Sequence, residues 1–226
     1  MTILCWDFDG TLACSDHLWS SCVHKALLHT VPDCGVTFPQ IRNCMASGFT
    51  WHTPELDFTP YTGEKWWDFM NAHFEKSYIS LGIDPESARI AAEKVRNLIK
   101  NPKNYHLYPD ALDTLQKAES AGCINLLLSN NYPDLGEVTD ALGLTPFFRR
   151  RIISGAVGYD KPRSEIFALA KSHFPGNHRF VMIGDNPMAD IRGGNAAGMT
   201  TILVHKGQDA QADYCFDNLS EIMNIL

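Results

Sequence analysis

No C-x-x-C pair, internal repeat, low-complexity tract or apolar run long enough to span a bilayer occurs in this 226-residue chain. Each absence removes a class of protein. The seven cysteines, at positions 5, 14, 22, 34, 44, 123 and 215, are odd in number and show no framework spacing. They read as reduced thiols in a cytoplasm, not as a disulfide scaffold. Cys14, His17, Cys22 and His24 match no usual zinc-ligand spacing. The opening MTILCWDFDG reaches an acid at residue 7, before any basic and then apolar leader could form. Basic residues are also scarce: 19 Lys plus Arg stand against 26 Asp plus Glu, a formal charge of -7, and the one basic run is Arg149, Arg150 and Arg151. That run is expected on a solvated turn. The acidic balance argues against a nucleic-acid polymer or a membrane as partner, since both require clustered cations to replace counterions.

What is present is a change of periodicity along the chain. Thr2 to Trp6 is a short apolar run ending abruptly at Asp7-Phe8-Asp9-Gly10-Thr11, the pattern of a buried strand entering a tight turn. Residues 13–107 read as helical and aromatic. Ser15 to His29 has helical spacing, Thr62 can cap a helix carrying Trp66, Trp67, Phe69 and Met70, and Asp84-Pro85 opens a helix that Asn101-Pro102 stops. From residue 108 onward, helices expected near 109–121, 134–142, 163–174, 188–197 and 218–225 alternate with apolar strands at 124–128, 152–153, 180–183 and 201–204. Continuous apolar strands alternating with helices predict a doubly wound, Rossmann-like parallel sheet in an α/β core. The core is expected to comprise 1–12 and 108–226, interrupted by an all-helical cap at 13–107. Divided this way, the cap carries nine basic and ten acidic residues and the core ten and sixteen, so the negative surplus lies mainly in the core.

In an open α/β sheet the ligand site lies beyond the carboxyl ends of the strands. The residues expected there are Asp7 and Asp9 after the first strand, Ser129, Asn130 and Asn131 after the second, and Asp185, Asn186 and Asp190 after the strand at 180–183, with Lys161 in the loop before Pro162. Two like charges about 4 Å apart at an effective dielectric near 20 repel by roughly 4 kcal/mol, so this gathering of carboxylates requires counter-charge. Lys161 and a divalent cation would supply it, and a donor set made of oxygens favours Mg²⁺ over zinc. A site with Mg²⁺, a lysine and turn amides suits phosphoryl transfer, in which an Asp can serve as covalent nucleophile.

The motifs DFDGT (7–11), the Ser129 step in LLLSNN, the Lys161 step in YDKP and GDNPMAD (184–190) resemble, in order, those of the haloacid dehalogenase superfamily. The position of the insertion resembles that of its members with a helical (C1-type) cap. The resemblance implies that Asp7 attacks phosphorus and that Asp9 protonates the leaving oxygen and then deprotonates water. It also implies that Ser129, the Asn130 amide and Lys161 bind phosphoryl oxygens. Asp7, the Asp9 carbonyl and Asp185 would hold Mg²⁺, with Asp190 and Asn186 supporting. An acid at Asp9 marks phosphotransfer within that superfamily, so the implied activity is that of a phosphatase on small soluble phosphomonoesters such as sugar, nucleotide or glycolate phosphates.

Two alternatives share the fold: a phosphosugar mutase or phosphotransferase, and a phospho-ligand binding protein without turnover. The four cap tryptophans, Trp19, Trp51, Trp66 and Trp67, are expected to fill the cap's own core. Cys14 stands where many capped relatives have an acid, with Asp16 two positions on. Substrate and oligomeric state are left open.

Overall fold

The computed structural model describes residues 1–15 and 17–226; Asp16 lies outside the described residues. Strand β1 (Thr2–Trp6) is followed by the two-residue strand β2 (Ala13–Cys14) and helices α1 (Leu18–Leu28), α2 (Phe38–Cys44), α3 (Glu64–Ser80) and α4 (Pro85–Ile99). Strand β3 (His106–Leu107) then pairs antiparallel with β2, Ala13 opposite Leu107 and Cys14 opposite His106. The chain thus leaves and re-enters through one short ribbon, and the insertion is helical apart from that ribbon and irregular connections.

Helix α5 (Ala111–Ser120), β4 (Ile124–Ser129), α6 (Leu135–Ala141), β5 (Phe148–Ile153), α7 (Ser154–Val157), α8 (Ser164–Ser172), β6 (Arg179–Gly184), α9 (Gly193–Ala196), β7 (Thr200–Val204) and β8 (Tyr214–Phe216) complete the order. The six-stranded sheet runs β5-β4-β1-β6-β7-β8, parallel at every pairing. From β1 the chain builds outward through β4 to β5, then crosses back to place β6 on the other side of β1. The reversal puts the topological switch point at β1.

Alternation explains why this sheet is covered on both faces. In β1, Leu4 and Trp6 join the core shared with the cap, while Ile3 and Cys5 join the second core beneath α8. Val181 and Ile183 against Phe180 and Met182 repeat the division in β6. Both sets are apolar, as a parallel sheet between helical layers requires. The Trp6 indole donates to Asn125 Oδ1 at 2.9 Å, and Asn125 in turn donates to the Leu115 carbonyl at 3.1 Å, so both buried polar side chains are satisfied.

The local differences from expectation have identifiable causes. Helix α3 starts at Glu64 with Gly63 at the N-cap, and Thr62 does not cap it. Helix α4 starts as expected, with Asp84 accepting from the Ser87 amide at 2.9 Å and Pro85 at the first position. Residues 187–192 form a wide, π-type turn before α9, and 219–224 wind as a tight 3-10 helix. Arg149 to Arg151 are exposed on β5 and not on a turn. β5 is an edge strand, where charge discourages pairing with another sheet. Strand β8, three residues long at Tyr214–Phe216, is too short for periodicity to reveal. Among the described residues, no helix is long and apolar enough to cross a membrane.

The cap is tied to the core on both flanks. Arg96 of α4 donates from Nε to Asp134 Oδ2 at 2.8 Å, the carboxylate that also accepts from the Trp67 indole at 2.8 Å. On the other flank the Gly63 amide donates to the Gly155 carbonyl at 3.0 Å, and Arg163 donates to the Leu56 carbonyl at 2.8 Å.

Candidate active site

Strand register brings the polar residues together. Trp6 is level with Leu127 on one side and Ile183 on the other. Asp7 therefore lies level with Leu128 and Gly184, and Ser129 and Asp185 follow one residue later at the same sheet edge. The Asp7 amide still donates to the Ile183 carbonyl at 2.9 Å, so the carboxylate leaves from a fixed backbone. The turn after β1 closes tightly because Gly10 adopts φ +79°, and a Cβ there would sit 2.3 Å from Asp185 Oδ2. No side chain larger than hydrogen fits at that point without pushing the two acidic loops apart.

Lys161 is the electrostatic centre. It is 1% exposed, and its Nζ donates to Asp190 Oδ1 at 2.6 Å and to the Leu128 carbonyl at 2.8 Å, with Asp7 Oδ1 at 3.0 Å. Burial alone would lower the lysine pKa, but the Asp190 and Asp7 carboxylates outweigh it and the net direction is upward, so the ammonium stays charged. Asn130 holds this lysine in place: its side chain donates to the Lys161 carbonyl at 2.8 Å and accepts from the Lys161 amide at 2.7 Å. The Asn130 side chain is thus engaged with the backbone of the lysine loop.

Asp190 is fully buried inside the wide turn, and its second oxygen accepts from the Asn186 amide at 3.0 Å. The Asn186 side chain caps the same turn, accepting from the Met188 and Ala189 amides at 2.9 and 3.0 Å. Asn186 therefore organises the loop that carries Asp185 and Asp190. A Cβ on Gly184 would meet Asp190 Oδ2 at 2.1 Å, which explains glycine at the end of β6.

Asp9 faces a different environment from Asp7. Its carboxylate accepts from Asn131 Nδ2 at 2.7 Å and from Ser15 Oγ at 3.2 Å. Burial pushes its pKa up to about 7, and the nearby Asp7 charge adds to the rise against the lowering effect of Asn131. Burial also raises Asp185, with Asp7 next in effect, and Lys206 Nζ at 3.4 Å partly offsets the rise. Asp7, Asp185 and Asp190 can each bring a carboxylate oxygen within 4.8 Å of the others. Asp9 turns its carboxylate to Asn131 and Ser15 instead. Ser129 Oγ is buried and has no hydrogen-bond partner. All-oxygen donors converging beside one lysine fit a hard divalent cation such as Mg²⁺.

Above this floor lies a cavity of about 470 Å³, lined by Asp7, Asp9, Asn131, Lys161 and Asp185 below and by Leu18, Trp19, Trp51 and Pro54 from the cap. Trp66 and Trp67 are buried as cap core, as expected, but Trp19 and Trp51 are half-buried and reach the cavity. Sequence reasoning placed Asn131 at the sheet edge without a role and left out Ser15 and Lys206. Lys206 was within reach of the strand-end rule, since it stands two residues past the end of β7. Nothing in the text of SNN or ACS distinguishes Asn131 or Ser15 from ordinary turn residues.

Comparison with known proteins shows the family. The haloacid dehalogenase-like hydrolase family profile matches residues 1–198. The chain belongs to the haloacid dehalogenase-like hydrolase family. A phosphoserine phosphatase from Thermus thermophilus is 35% identical over 141 residues, a match covering 62% of this chain and 55% of that protein. A glyceraldehyde 3-phosphate phosphatase from Methanopyrus kandleri is 28% identical over 165 residues, covering 68% and 71%. The chain thus aligns with little more than half the length of the first of these. Among solved structures, the magnesium-bound HAD-hydrolase YfnB from Bacillus subtilis superposes with a TM-score of 0.74 at 20% identity, over 100% of this chain and 97% of that one, a likeness of fold.

Proposed function

We propose that this protein is a Mg²⁺-dependent phosphatase that hydrolyses small phosphomonoesters through an aspartyl-phosphate on Asp7. The observation that carries the reading is the pairing of two unlike carboxylates at one sheet edge. Asp7 lies 3.0 Å from a buried ammonium, while Asp9, two residues on, has a pKa of about 7. A nucleophile beside a buried ammonium, next to an acid whose pKa is raised to near neutrality, is the division of labour that ester cleavage needs. Relatives in the same family are named as phosphoserine and glyceraldehyde 3-phosphate phosphatases, which supports a phosphorylated small molecule as substrate.

In this scheme an Asp7 oxygen forms a bond to phosphorus as the bond from phosphorus to the ester oxygen breaks. Asp9 gives its proton to the leaving alkoxide, and the alcohol departs. Asp9, now a carboxylate, takes a proton from the water that attacks phosphorus, and inorganic phosphate leaves as Asp7 is regenerated. Lys161 and the Ser129 hydroxyl bind phosphoryl oxygens, assisted by the Asn130 amide. Asn131 and Ser15 hold Asp9 in place, and Asp190 and Asn130 hold Lys161. Asp7, Asp185 and the Asp9 carbonyl would hold Mg²⁺, with Asp190 beside them. The bound ion supplies positive charge against the phosphoryl group and the acidic floor.

Phosphate release should be measured over a panel of sugar, nucleotide, amino-acid and glycolate phosphates, with Mg²⁺ and with EDTA. Turnover of at least one member is expected, abolished by EDTA and reduced about 10⁴-fold or more in Asp7→Asn. Turnover indifferent to Asp7→Asn would overturn the scheme.

A further inference from the structure

The cavity over Asp7 has two chemically opposite halves. Its floor is charged, but among the described residues the cap contributes to the lining only Ser15, Leu18, Trp19, Trp51 and Pro54, without a single ionisable side chain. A leaving group carrying a carboxylate, an ammonium or a second phosphate would bring its charge against this apolar ceiling with no described partner there, and an unpaired charge taken out of water is heavily penalised.

The ceiling is also aromatic and firmly supported. The Trp51 ring stacks on Phe49 with centroids 4.7 Å apart and planes 14° from parallel, and lies at 24° to Trp66 at 6.3 Å. The Trp19 ring packs against Phe49 at 4.8 Å, Trp66 at 6.0 Å and Tyr132 at 5.8 Å, edge-on to the last. Trp19 and Trp51 meet at 6.0 Å and 48°, making a corner, and both line the cavity. Rings packed against other buried rings lose little freedom when a ligand contacts them, so the surface is pre-organised for a planar group. The volume of about 470 Å³ admits such a group together with a phosphoryl head.

We infer that the preferred substrate is a phosphomonoester whose alcohol part carries an uncharged, planar aromatic ring, stacked in the corner formed by Trp19 and Trp51. The inference rests on the phosphatase reading above and narrows it to a substrate class. It disfavours phosphoserine, glycolate phosphate and sugar bisphosphates, whose alcohol parts carry charge.

Two measurements separate this inference from the phosphatase reading. The first is kcat/KM, in Mg²⁺, for benzyl phosphate, cyclohexylmethyl phosphate, uridine 5′-monophosphate and phosphoserine. The second is the Kd of benzylphosphonate and of cyclohexylmethylphosphonate by calorimetry, which requires no turnover. Benzyl phosphate is expected to exceed its saturated counterpart by about tenfold in kcat/KM, and phosphoserine by more, with benzylphosphonate binding about tenfold tighter than its counterpart. Trp51→Ala, folded at the assay temperature but with a lowered melt from lost packing on Phe49 and Trp66, should erase the aromatic preference while still turning over cyclohexylmethyl phosphate, and Trp51→Phe should retain most of the preference. A nucleotide preferred over benzyl phosphate would place the ring one sugar farther from phosphorus and keep the inference. Turnover with equal or better use of phosphoserine overturns the inference and leaves the phosphatase reading standing. Aromatic-selective binding without turnover keeps the ring site and removes the phosphatase reading. Absence of both overturns both.

Discussion

The carboxylates at the core's strand ends and the exposed acids of the cap respond to folding in opposite directions. At the sheet edge, burial raises Asp9, Asp185 and Asp190. In the cap, hydrogen bonds lower exposed acids: the Thr59 amide acts on Asp57, the Arg96 guanidinium on Glu64 and the Ser87 amide on Asp84. Asp57 and Asp84 are used as turn and helix caps, where ionisation helps the backbone, and Glu64 pairs with Arg96. Core acids are held together against their mutual repulsion. Stability has therefore been spent at the core's strand ends, as expected of a site shaped for chemistry.

The sharpest way to break this comparison is to remove the one cation buried among the core acids. Lys161→Met leaves Asp190, which has no exposure, without its 2.6 Å partner, and also removes the ammonium beside Asp7. Loss of one member of such a buried pair is expected to cost about 3–5 kcal/mol in chemical denaturation without added metal. Adding Asp190→Leu should recover part of it, because the second substitution removes the orphaned charge. In the cap, Arg89→Met breaks the exposed pair with Glu93 on α4 and should change the denaturation midpoint by no resolvable amount. Equal effects at the two places would remove the distinction.

A pH series tests the sign. Asp9 holds its proton more tightly in the folded protein, with a pKa of about 7, than in an unfolded chain, where a carboxyl titrates near 3.9. Between these values the folded state binds more protons, so metal-free stability should be greatest below about pH 4 as far as this group is concerned. It should fall as pH rises and level off above about 7. Asp185 and Asp190 are shifted the same way and add to the slope. Asp9→Asn cannot ionise, so in EDTA it should gain about 1–3 kcal/mol over wild type at pH 8 and little at pH 4, after allowance for water reaching this half-buried group. A wild-type stability that rises from pH 5 to pH 8 in EDTA would contradict the raised acids.

The same contrast accounts for what could be read in the sequence. The floor of the site was legible because each of Asp7, Ser129 and Asp185 stands at the end of a continuous apolar strand, and a parallel sheet aligns those ends by register. Lys161 and Asp190 came through motifs in the adjacent loops. The ceiling was not legible. Trp19 and Trp51 come from separate cap segments, share no motif with each other, and carry the same text as the core tryptophans Trp66 and Trp67. Which ring faces a cavity depends on how helices pack, and helical spacing does not report it. Asn131 was hidden for a related reason: its contact with Asp9 spans 122 positions, and its neighbour Asn130, identical in type, turns to Lys161 instead.

The smallest expected effect tests the cap acids on their own terms. Asp84 accepts from the Ser87 amide at the start of α4, and this hydrogen bond is what lowers its pKa. Asp84→Ala removes the cap and a charge that favours the helix N-terminus, so Tm should fall by about 2–4 °C at pH 7. The loss should shrink as pH drops below the carboxylate range, because the protonated acid caps less well even in the wild type. Asp84→Asn should retain most of the stability at both pH values, since an amide oxygen still accepts from Ser87. A fall in Tm that was the same at pH 3 and pH 7 would mean that Asp84 acts by packing or turn geometry, and that the cap acids do not contrast with those of the core by charge.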